Sequence, residues 1–451
     1  QFCHDCHEVD YVDSVAVCSV LCARRAGKQN GYDSLRMIVA GQLPGLAADV
    51  LELRMANGRE GVVRVAINAQ LVSFGASYRN AGISRYTYQL LDGLSRIESN
   101  VEFTAFINGA ERKDAAGSAV GQAGRIHLIA DQANTSGPLG RITWEQFTLP
   151  GRLKRLRADV FHAPANVLPR SIPCASVLTV HDLAFMRHPE FFRPTRRYYQ
   201  RILTRRSANA ATLIVAVSEH TKRDLVEYFH IDPGKIHVVY NSIAPDFQPV
   251  DSATIARFRA EKGLPERYLL YLGTIEPRKN LAALVTAYAR LRSQMGPETP
   301  PLILAGAKGW YYEPLFKQVR ELGLEHDVTF VGYVSREEQP LWYAGATVFV
   351  YPSLYEGFGM PIVEALGCGT PTITSNTSSM PEAAGTLATL VAPEDTKALA
   401  RAMYHMLHDD ALRARTQAEG THWARQFSLE RMARHYVDVY TEAAGKAQRA
   451  L

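Results

Sequence analysis

The sequence predicts an α/β protein with two parallel, doubly wound sheets. From residue 62 onward, short β-rich runs alternate with helical patterns, which is typical of parallel strands covered by helices on both faces. The alternation pauses at the proline-containing segment 243–249 and then starts again. The 451 residues leave room for two such domains, at about 100–200 residues each.

The predicted strands are short runs rich in Val, Ile and Leu. Those of the first half are Val62–Ile67, Glu102–Ile107, Arg125–Ile129, Val160–His162, Val177–Val180 and Leu213–Val217. Those of the second half are Tyr268–Leu272, Leu302–Leu304, Val328–Val331, Val348–Tyr351 and Thr372–Thr374. A last helix is predicted around Leu429–Ala444, where apolar residues recur at helical spacing. We therefore expect domains at residues 62–245 and 246–425, followed by a C-terminal helix at 426–451.

Composition narrows the class of protein. Apolar residues make up 47% of the chain and charged residues 21%, as in folded globular proteins. No apolar run approaches the roughly 18 residues that a membrane-spanning helix needs, so we expect a cytoplasmic protein that does not span a membrane. A net charge of +5 is too mild for a dedicated nucleic-acid-binding protein, and no nucleic acid partner is predicted.

Residues 1–61 are predicted to lie outside both domains, as a non-native or disordered extension, because they show no sustained periodicity. The chain has six cysteines, and four of them, Cys3, Cys6, Cys18 and Cys22, crowd this segment. A disulfide-framed secreted protein distributes its cysteines differently. With His4 and His7 nearby, a zinc site is the alternative interpretation of this segment.

The most informative segment is 346–370, whose pattern predicts a strand, a loop, a short helix and a glycine stop. Pro361 suits the first helical position, so Gly359, Met360 and Ile362 bring free backbone N–H groups to a helix N-terminus. Such a terminus is an anion site, and it suits phosphate.

Two glutamates in this segment can contact different parts of one ligand. Glu356 lies in the loop before the helix and Glu364 in its first turn. A carboxylate accepts two hydrogen bonds from a vicinal diol, so Glu364 suits a ribose and Glu356 a group nearer the reacting sugar. The alternative is that Glu364 only favours a helix start and that Glu356 is a solvated loop residue.

A second segment, 271–280, supplies positive charge. A strand is predicted to end at Gly273 and a helix to begin at Pro277, so that Arg278 and Lys279 project from the opening turn. Two adjacent cations match a diphosphate. The alternative is a solvated basic turn.

Together the two segments resemble the retaining nucleotide-sugar glycosyltransferases of the GT-B fold, in particular a bacterial mannosyltransferase-type branch that builds polysaccharides. The resemblance rests on Glu356-Gly-Phe-Gly-Met-Pro-Ile-Val-Glu364 and on Glu276-Pro-Arg-Lys-Asn280, and it extends from about Val62 to about Glu442. It implies two Rossmann-like domains that face a cleft, with the final helix crossing back onto the first domain. The implied donor-binding residues of the second domain are Gly273, Arg278, Lys279, Gly357, Phe358, Gly359, Met360, Pro361 and Glu364.

The resemblance also assigns roles to single residues. Glu364 is expected to bind the donor ribose and Glu356 to contact the transferred sugar, while Arg278 and Lys279 neutralise the diphosphate. In the first domain, Gly82 corresponds to a glycine-rich loop that approaches the donor phosphate. His181 corresponds to a histidine beside the donor sugar and the acceptor. The implied catalytic set is Glu356, His181, Arg278 and Lys279.

The implied reaction is a retaining, metal-independent transfer of a hexose from a nucleotide-diphosphate sugar to a glycan or lipid-linked acceptor, and the branch favours mannose from GDP-mannose. The cations and the helix N–H groups are placed to stabilise the leaving diphosphate. No Asp-x-Asp stretch follows a strand, so we expect neither a metal ion nor a cofactor. Retention suits front-side attack, in which the departing phosphate oxygen accepts the acceptor's proton.

Other classes of protein give alternative interpretations. A non-catalytic protein of the same fold, binding sugar nucleotides or glycans, has the same sequence signals. A nicotinamide-dependent oxidoreductase is disfavoured, because no strand runs into Gly-x-Gly-x-x-Gly. A phosphorylase that shares the fold needs a pyridoxal-bearing lysine, for which the sequence offers no convincing candidate.

Two basic clusters in the first domain predict peripheral contact with the inner face of a membrane. They are Arg152, Lys154, Arg155 and Arg157, and then Arg193, Arg196, Arg197, Arg201, Arg205 and Arg206. Tyr198, Tyr199 and Ile202 are interleaved with the second cluster. Anionic lipid attracts each basic residue near its surface by about 1 kcal/mol. The alternative is a solvated basic helix that packs these aromatic residues into the domain core.

Overall fold

The structure is a computed structural model that describes residues 62–75, 82–131, 135, 137–307, 309 and 312–449. The predicted extension and its cysteine pattern fall outside these residues. The predicted α/β class is confirmed, because the described strands form two wholly parallel sheets with helices between them.

The first sheet lies in the first half of the chain. Its seven strands are β1 (Val63–Ala69), β2 (Val101–Asn108), β3 (Ile126–Asp131), β4 (Val160–Ala163), β5 (Ala175–Val180), β6 (Leu213–Ala216) and β7 (Ile236–Val238). Their order is β3-β2-β1-β4-β5-β6-β7. Strand β1 pairs with β2 through Val63 and Val101, and with β4 through Val65 and Val160.

The second sheet repeats this topology with six strands. They are β8 (Leu269–Leu272), β9 (Leu302–Ala305), β10 (Val328–Gly332), β11 (Val348–Tyr351), β12 (Thr372–Ser375) and β13 (Ala388–Val391), in the order β10-β9-β8-β11-β12-β13. In both sheets the strands that follow the first one are added on one side of it, and the later strands are then added on its other side. A crevice opens at such a switch point, outside the carboxyl ends of the strands, and ligands bind there.

Two strands were not predicted from the sequence, β7 and β13. Each is the last strand of its sheet and lies at an edge, with a single fully buried residue, Ile236 or Val391. The predicted strands, by contrast, include β4, β6, β8, β9, β11 and β12, which are buried throughout. A half-exposed edge strand lacks the continuous apolar run that identifies a buried parallel strand.

Helices connect the strands. In the first half they are α1 (Ile83–Arg96), α2 (Arg112–Gly117), α3 (Ala119–Ala123), α4 (Pro138–Thr143), α5 (Leu149–Leu156), α6 (Ala184–Arg187), α7 (Pro194–Ala210) and α8 (Glu219–Phe229). In the second half they are α9 (Ser252–Lys262), α10 (Leu281–Met295), α11 (Glu313–Glu321), α12 (Gln339–Gly345), α13 (Met360–Gly367), α14 (Met380–Ala384), α15 (Thr396–His408), α16 (Asp410–Ala424) and α17 (Leu429–Arg449). Short turns of other helix types lie at Gly109–Glu111, Trp144–Thr148, Pro189–Phe191, Pro233–Lys235, Pro277–Lys279, Gly296–Glu298 and Arg425–Phe427.

The final helix, α17, packs against the first sheet and against α1. A Cβ atom at Gly93 of α1 would lie 2.6 Å from the carbonyl oxygen of Leu429, so only glycine permits this approach. Deeper in the interface, the hydroxyl of Tyr436 bonds to that of Thr179 on β5, and the hydroxyl of Tyr440 bonds to His162 on β4, each at 2.8 Å. The chain therefore leaves the second sheet and ends on the first.

Helix α7 carries the second basic cluster and presents its aromatic residues to solvent. Tyr198 is 69% exposed, Tyr199 52% and Ile202 44%. The alternative in which the aromatic residues fill the domain core is therefore wrong for these three side chains, whereas Phe192, just before the helix, does pack against the core. In the part of the chain that the structure describes, no helix is both long and apolar enough to cross a membrane.

Candidate active site

A cavity of about 690 Å³ opens between the two sheets, at the carboxyl ends of their strands. Of the predicted donor-binding residues, Gly82, Gly273, Met360, Pro361 and Glu364 line it. A second concavity, of about 670 Å³, lies along β2 and β3 and is lined by none of the predicted site residues. The first cavity is therefore the candidate site.

Helix α13 begins beside this cavity, one residue earlier than predicted. Gly359 precedes it with a φ of +103°, a conformation that L side chains rarely adopt. Pro361 takes the second helical position, and Glu364 consequently lies beyond the first turn. The N–H of Ile362 donates to the carbonyl oxygen of Gly359 at 3.0 Å, so the prediction that it is free to bind an anion is wrong.

Glu356 is the centre of a buried ionic cluster. Its Oε1 accepts hydrogen bonds from Lys279 Nζ at 2.6 Å, Ser353 Oγ at 2.7 Å and the Tyr351 hydroxyl at 3.0 Å, while Oε2 accepts one from Arg278 Nη1 at 2.9 Å. Burial alone would raise the pKa of Glu356, but the two cations outweigh it and lower that pKa to about 2. Glu356 is therefore a carboxylate in a fixed orientation at neutral pH, and the alternative of a solvated loop residue is wrong.

Arg278 and Lys279 lie in the turn Pro277–Lys279 and point into the same cluster, so the alternative of a solvated basic turn is also wrong. Arg278 bonds to Glu276 and to the carbonyl oxygen of Tyr355, both at 2.8 Å, as well as to Glu356. Burial would lower the pKa of Arg278, but Glu356 and Glu276 outweigh it and raise that pKa. Burial, reinforced by Arg278, lowers the pKa of Lys279.

Both cations keep a hydrogen-bonding group for a further ligand. Arg278 commits four of its five N–H groups, and Lys279 two of three, in the hydrogen bonds between described residues. One donor on each remains. The cluster can therefore contact an anion without first losing its internal bonds.

Glu364 lies on α13 and is almost fully buried, at 1% exposure. Its Oε2 accepts a hydrogen bond from the Tyr343 hydroxyl at 3.0 Å, and its Oε1 accepts one from Arg85 Nη2 at 2.5 Å. Arg85 belongs to the first turn of α1, three residues after Gly82, and so reaches across from the other sheet. This ion pair joins the two walls of the cavity.

His181 follows β5 and is fixed by two hydrogen bonds. Its Nε2 lies 2.7 Å from the carbonyl oxygen of Pro164, and its main-chain N–H donates to Asn166 Oδ1 at 3.1 Å. Because a carbonyl oxygen only accepts, Nε2 carries the proton and Nδ1 carries none. Burial lowers the pKa of His181, which keeps the imidazole neutral.

The loop with Glu356 touches the loop with His181. A Cβ atom at Gly357 would lie 1.9 Å from the carbonyl oxygen of His181, so this contact requires glycine. Phe358, also predicted to bind donor, instead turns its ring into the core against Tyr240 and Phe427. The structure thus brings Glu356, Arg278 and Lys279 together in one cluster, whose loop contacts the main chain of His181, and none of these four residues lines the 690 Å³ cavity.

Two further contacts join the two halves of the chain outside the cavity lining. The carboxylate of Glu382, on α14, accepts hydrogen bonds from the main-chain N–H groups of Glu219 and His220 at the start of α8, each at 2.8 Å. The hydroxyl of Tyr355 donates to Asp224 of α8 at 2.6 Å. A carboxylate at a helix N-terminus satisfies N–H groups that have no partner within the helix.

Sequence reasoning missed several members of the site. Tyr351 and Ser353 lie within the segment singled out for its glutamates, and polar side chains that directly follow a buried strand were the available signal. Arg85 lies within the Gly82 segment but in the first turn of α1, well after β1 ends at Ala69, and had no such signal. Ser378, whose Oγ accepts from the N–H of Glu356 at 3.0 Å, lies beyond the next strand and had none.

The architecture defines a class of protein. Two doubly wound parallel sheets with a cleft between them form the GT-B fold of glycosyltransferases. Among solved structures, the chain is similar to a sucrose-phosphate synthase from Thermosynechococcus elongatus, with a TM-score of 0.66 and 21% identity over 84% of this chain and 98% of that one. It is also similar to Anabaena Alr3699/HepE in complex with UDP, with a TM-score of 0.64 and 18% identity over 84% of this chain and 100% of that one.

Sequence comparisons identify the family. A model of glycosyl transferases group 1 matches residues 253–423, and a model of glycosyltransferase family 4 matches residues 80–247. The chain is 33% identical to the O-antigen chain mannosyltransferase B of Escherichia coli over 289 residues, which is 64% of this chain and 75% of that protein. It is 26% identical to a serotype-specific mannosyltransferase WbdA of Escherichia coli over 288 residues, which is 62% of this chain but only 35% of that protein. The chain therefore belongs to the glycosyltransferase family that these two models and the mannosyltransferase relatives represent, as the resemblance predicted. It is a glycosyltransferase.

Proposed function

We propose that the protein transfers mannose from GDP-mannose to a growing polysaccharide, with retention of configuration and without a metal ion. The observation that carries this proposal is the buried Glu356 cluster, in which a carboxylate and two cations lie beside His181 of the facing domain. Such a cluster holds groups of both signs in place before substrate arrives, which is how a preorganised site stabilises charge that develops in a transition state.

The donor is proposed to lie along the second domain. Glu364 accepts hydrogen bonds from the ribose diol, and the remaining donors of Arg278 and Lys279 contact the diphosphate. The base lies against the loop after β10, where Tyr333 and Arg336 line the cavity. This order places the transferred sugar between Glu356 and His181.

The chemistry follows from that placement. The bond between the sugar C1 and the diphosphate oxygen breaks, and a bond from C1 to the acceptor oxygen forms on the same face of the sugar. As the bond to C1 breaks, the diphosphate gains one negative charge, which is neutralised when the acceptor's proton moves to the departing phosphate oxygen. Arg278 and Lys279 stabilise that charge, while the Glu356 carboxylate faces the positive charge that develops at C1.

The choice of mannose and of a polysaccharide acceptor is supported by the relatives. Both relatives named above are mannosyltransferases, and one is described as acting on the O-antigen chain. The site itself is compatible with any nucleoside diphosphate hexose, because Glu364 and the two cations contact groups that all such donors share.

A lipid-linked acceptor gives the basic surface of the first domain a role. Beside the exposed aromatic residues of α7, Phe147 is 80% exposed. The segment 168–170 connects α7 with the residue before Phe147. The N–H of Leu168 donates to Ser207 Oγ of α7 at 2.9 Å, and the N–H of Arg170 donates to Gln146 Oε1 at 2.8 Å. We propose that this face, rich in arginine and exposed aromatic rings, contacts an anionic membrane surface.

A panel of nucleotide sugars tests the donor assignment. GDP-mannose is expected to raise the melting temperature more than UDP-glucose, ADP-glucose or dTDP-glucose, because a ligand that binds only the folded state stabilises it by mass action. Slow release of GDP from GDP-mannose without an acceptor is the second expected result. A protein that binds GDP-mannose and releases no GDP would instead be a binding protein of the same fold.

A further inference from the structure

Arg85 extends from the first domain to the carboxylate that is proposed to bind ribose. Its Nη2 lies 2.5 Å from Oε1 of Glu364, and the Tyr343 hydroxyl already donates to the other oxygen at 3.0 Å. Both oxygens of Glu364 therefore have a partner before any ligand binds. Each partner is a hydrogen-bond donor, as the hydroxyl groups of a ribose are.

The pair limits access to Glu364. The side chain of Glu364 is 2% exposed and that of Arg85 is 23% exposed. Both residues line the 690 Å³ cavity, so a diol that enters the cavity meets the pair directly. It finds Oε1 of Glu364 already bonded to Arg85 and has to compete for it.

The surroundings of Arg85 favour such a movement. Its guanidinium carbon lies 5.5 Å from the ring centre of Phe247, and that of Arg336 lies 4.2 Å from the same ring, so Arg85 is the more distant of two cations around this ring. The Nε of Arg85 is buried and has no hydrogen-bond partner among the described residues. A buried donor without a partner destabilises this position of the side chain and lowers the cost of leaving it.

We propose that Arg85 is an internal competitor for the ribose of the donor. It binds Glu364 while the cleft is empty and gives the carboxylate up when the vicinal diol of a nucleoside diphosphate or nucleotide sugar enters. When the spent nucleotide begins to leave, re-formation of the ion pair blocks its return. This inference rests on the proposed function, because it takes Glu364 to be the ribose ligand.

The competition can be measured as a change in the apparent affinity for nucleotide. A ligand that binds only the open form has its apparent affinity reduced by the fraction of molecules that are open. If the pair is formed in about nine molecules of ten, removing Arg85 strengthens nucleotide binding about tenfold. The gain depends on the diol, because a nucleotide without one does not compete for Glu364.

The test compares GDP with 2′,3′-dideoxy-GDP by calorimetry, on the wild-type chain and on Arg85→Met. We expect Arg85→Met to bind GDP about tenfold more tightly than the wild type and to bind the dideoxynucleotide with unchanged affinity. Arg292→Met is the matched control, because it removes a partly buried ion pair with Asp327, and neither residue lines the cavity. It is expected to change neither affinity.

Several results would overturn the inference. Weaker binding of both nucleotides by Arg85→Met would make Arg85 a ligand of the diphosphate, and equal affinities of variant and wild type for GDP would remove the competition. If Arg85→Met does not fold, Arg85→Leu, which also removes the donor, is measured in its place, with the same expectation.

UDP and ADP are measured in parallel on the wild type. If the wild type binds UDP instead of GDP, only the donor assignment fails, and the comparison is repeated with 2′,3′-dideoxy-UDP. If it binds no nucleoside diphosphate, the nucleotide site and this inference both fail.

Discussion

At the scale of single residues, the site is organised by two glutamates in different electrostatic surroundings. Glu356 is bonded to two cations whose positions are fixed by further hydrogen bonds, and its pKa is lowered to about 2. Glu364 is bonded to a tyrosine and to an arginine from the facing domain. The first arrangement suits a group that stays charged during a reaction, and the second suits a group that exchanges partners.

This difference predicts distinct effects for two conservative substitutions. Glu356→Gln is expected to lower kcat for GDP release at least about a hundredfold while GDP still binds, because it removes charge where the transition state needs it. Glu364→Gln is expected to weaken GDP binding more than it lowers kcat. Release kinetics and calorimetry measure the two effects. Wild-type rates in both variants would contradict the assignment of the site.

Lys279 provides a second prediction. Lys279→Ala is expected to cost at least about 2 kcal/mol of transition-state stabilisation, the scale of losing one donor to a developing charge. This corresponds to a fall in kcat/KM of about thirtyfold. The control is Lys262→Ala, which removes a more exposed lysine paired with Glu338. Activity is also expected to persist in EDTA, and loss of activity in EDTA that magnesium restores would contradict a reaction without metal.

The sequence identified the residue types of the site better than their contacts. The glycines and glutamates of segment 356–364 predicted the loop and the helix, because backbone conformation there depends on local residues. The pairing of Arg85 with Glu364 joins residues 279 positions apart, and the sequence contains no local signal for such a contact. The pairing of both cations with Glu356 was missed for the same reason.

At the scale of elements, β4 and α17 meet in a buried polar interface. His162 of β4 bonds to Thr179 and to Tyr440, each at 2.8 Å, and burial lowers its pKa to about 3. The folded chain therefore holds this imidazole neutral, whereas the unfolded chain protonates it below about pH 6.5. Between these two pH values the unfolded chain binds one more proton than the folded chain. The contribution of His162 to the free energy of unfolding is therefore complete above pH 6.5 and falls as the pH decreases toward 3.

We predict that the free energy of unfolding of the wild type is more sensitive to acid than that of His162→Gln. Between pH 7.5 and pH 5, His162 is expected to account for about 2 kcal/mol of lost stability toward urea. His162→Gln keeps a hydrogen-bonding side chain but does not titrate, so its stability is expected to fall less over this range. His127→Gln, at an exposed position of β3, is the control. Equal losses in the wild type and His162→Gln would contradict the account.

Helix α7 is the element proposed to contact the membrane. The triple variant Arg197/Arg201/Arg205→Ser is expected to lose binding to phosphatidylglycerol vesicles, because each basic residue contributes about 1 kcal/mol of attraction. Co-sedimentation at low and high salt measures this, and binding by the wild type is expected to weaken at high salt. The control is Arg257/Lys317/Arg401→Ser, which removes the same charge from exposed positions of the second half. Equal binding by the α7 variant, or no wild-type binding at low salt, would remove the proposal.

Among the elements, the buried strands and the edge strands β3 and β10 were predictable, and the last strand of each sheet was not. Val348–Tyr351 was predicted with its observed bounds because all four of its residues are apolar and buried. Ile236–Val238 and Ala388–Val391 pair on one side only, and exposure lets polar or small residues replace apolar ones there. Their hydrogen bonds depend on the neighbouring strand, which the local sequence does not specify.

At the scale of the whole molecule, the two sheets meet around one cavity through contacts of two kinds. Outside the cavity lining, Gly357 touches the main chain of His181, and Glu382 caps α8. Beside the cavity, Arg85 binds Glu364, which a ribose is proposed to contact. The first contacts hold the Glu356 loop beside the first domain, and the Arg85–Glu364 pair is the contact that is proposed to open.

The most direct test of the central claim follows GDP-mannose labelled at C1 by NMR, in EDTA, with the wild-type chain and with Glu356→Gln. The account predicts that the wild type releases GDP, that the first-formed sugar keeps the anomeric configuration of the donor, and that Glu356→Gln releases GDP at least about a hundredfold more slowly. Inverted sugar, release that requires magnesium, or equal rates in the two proteins would contradict it.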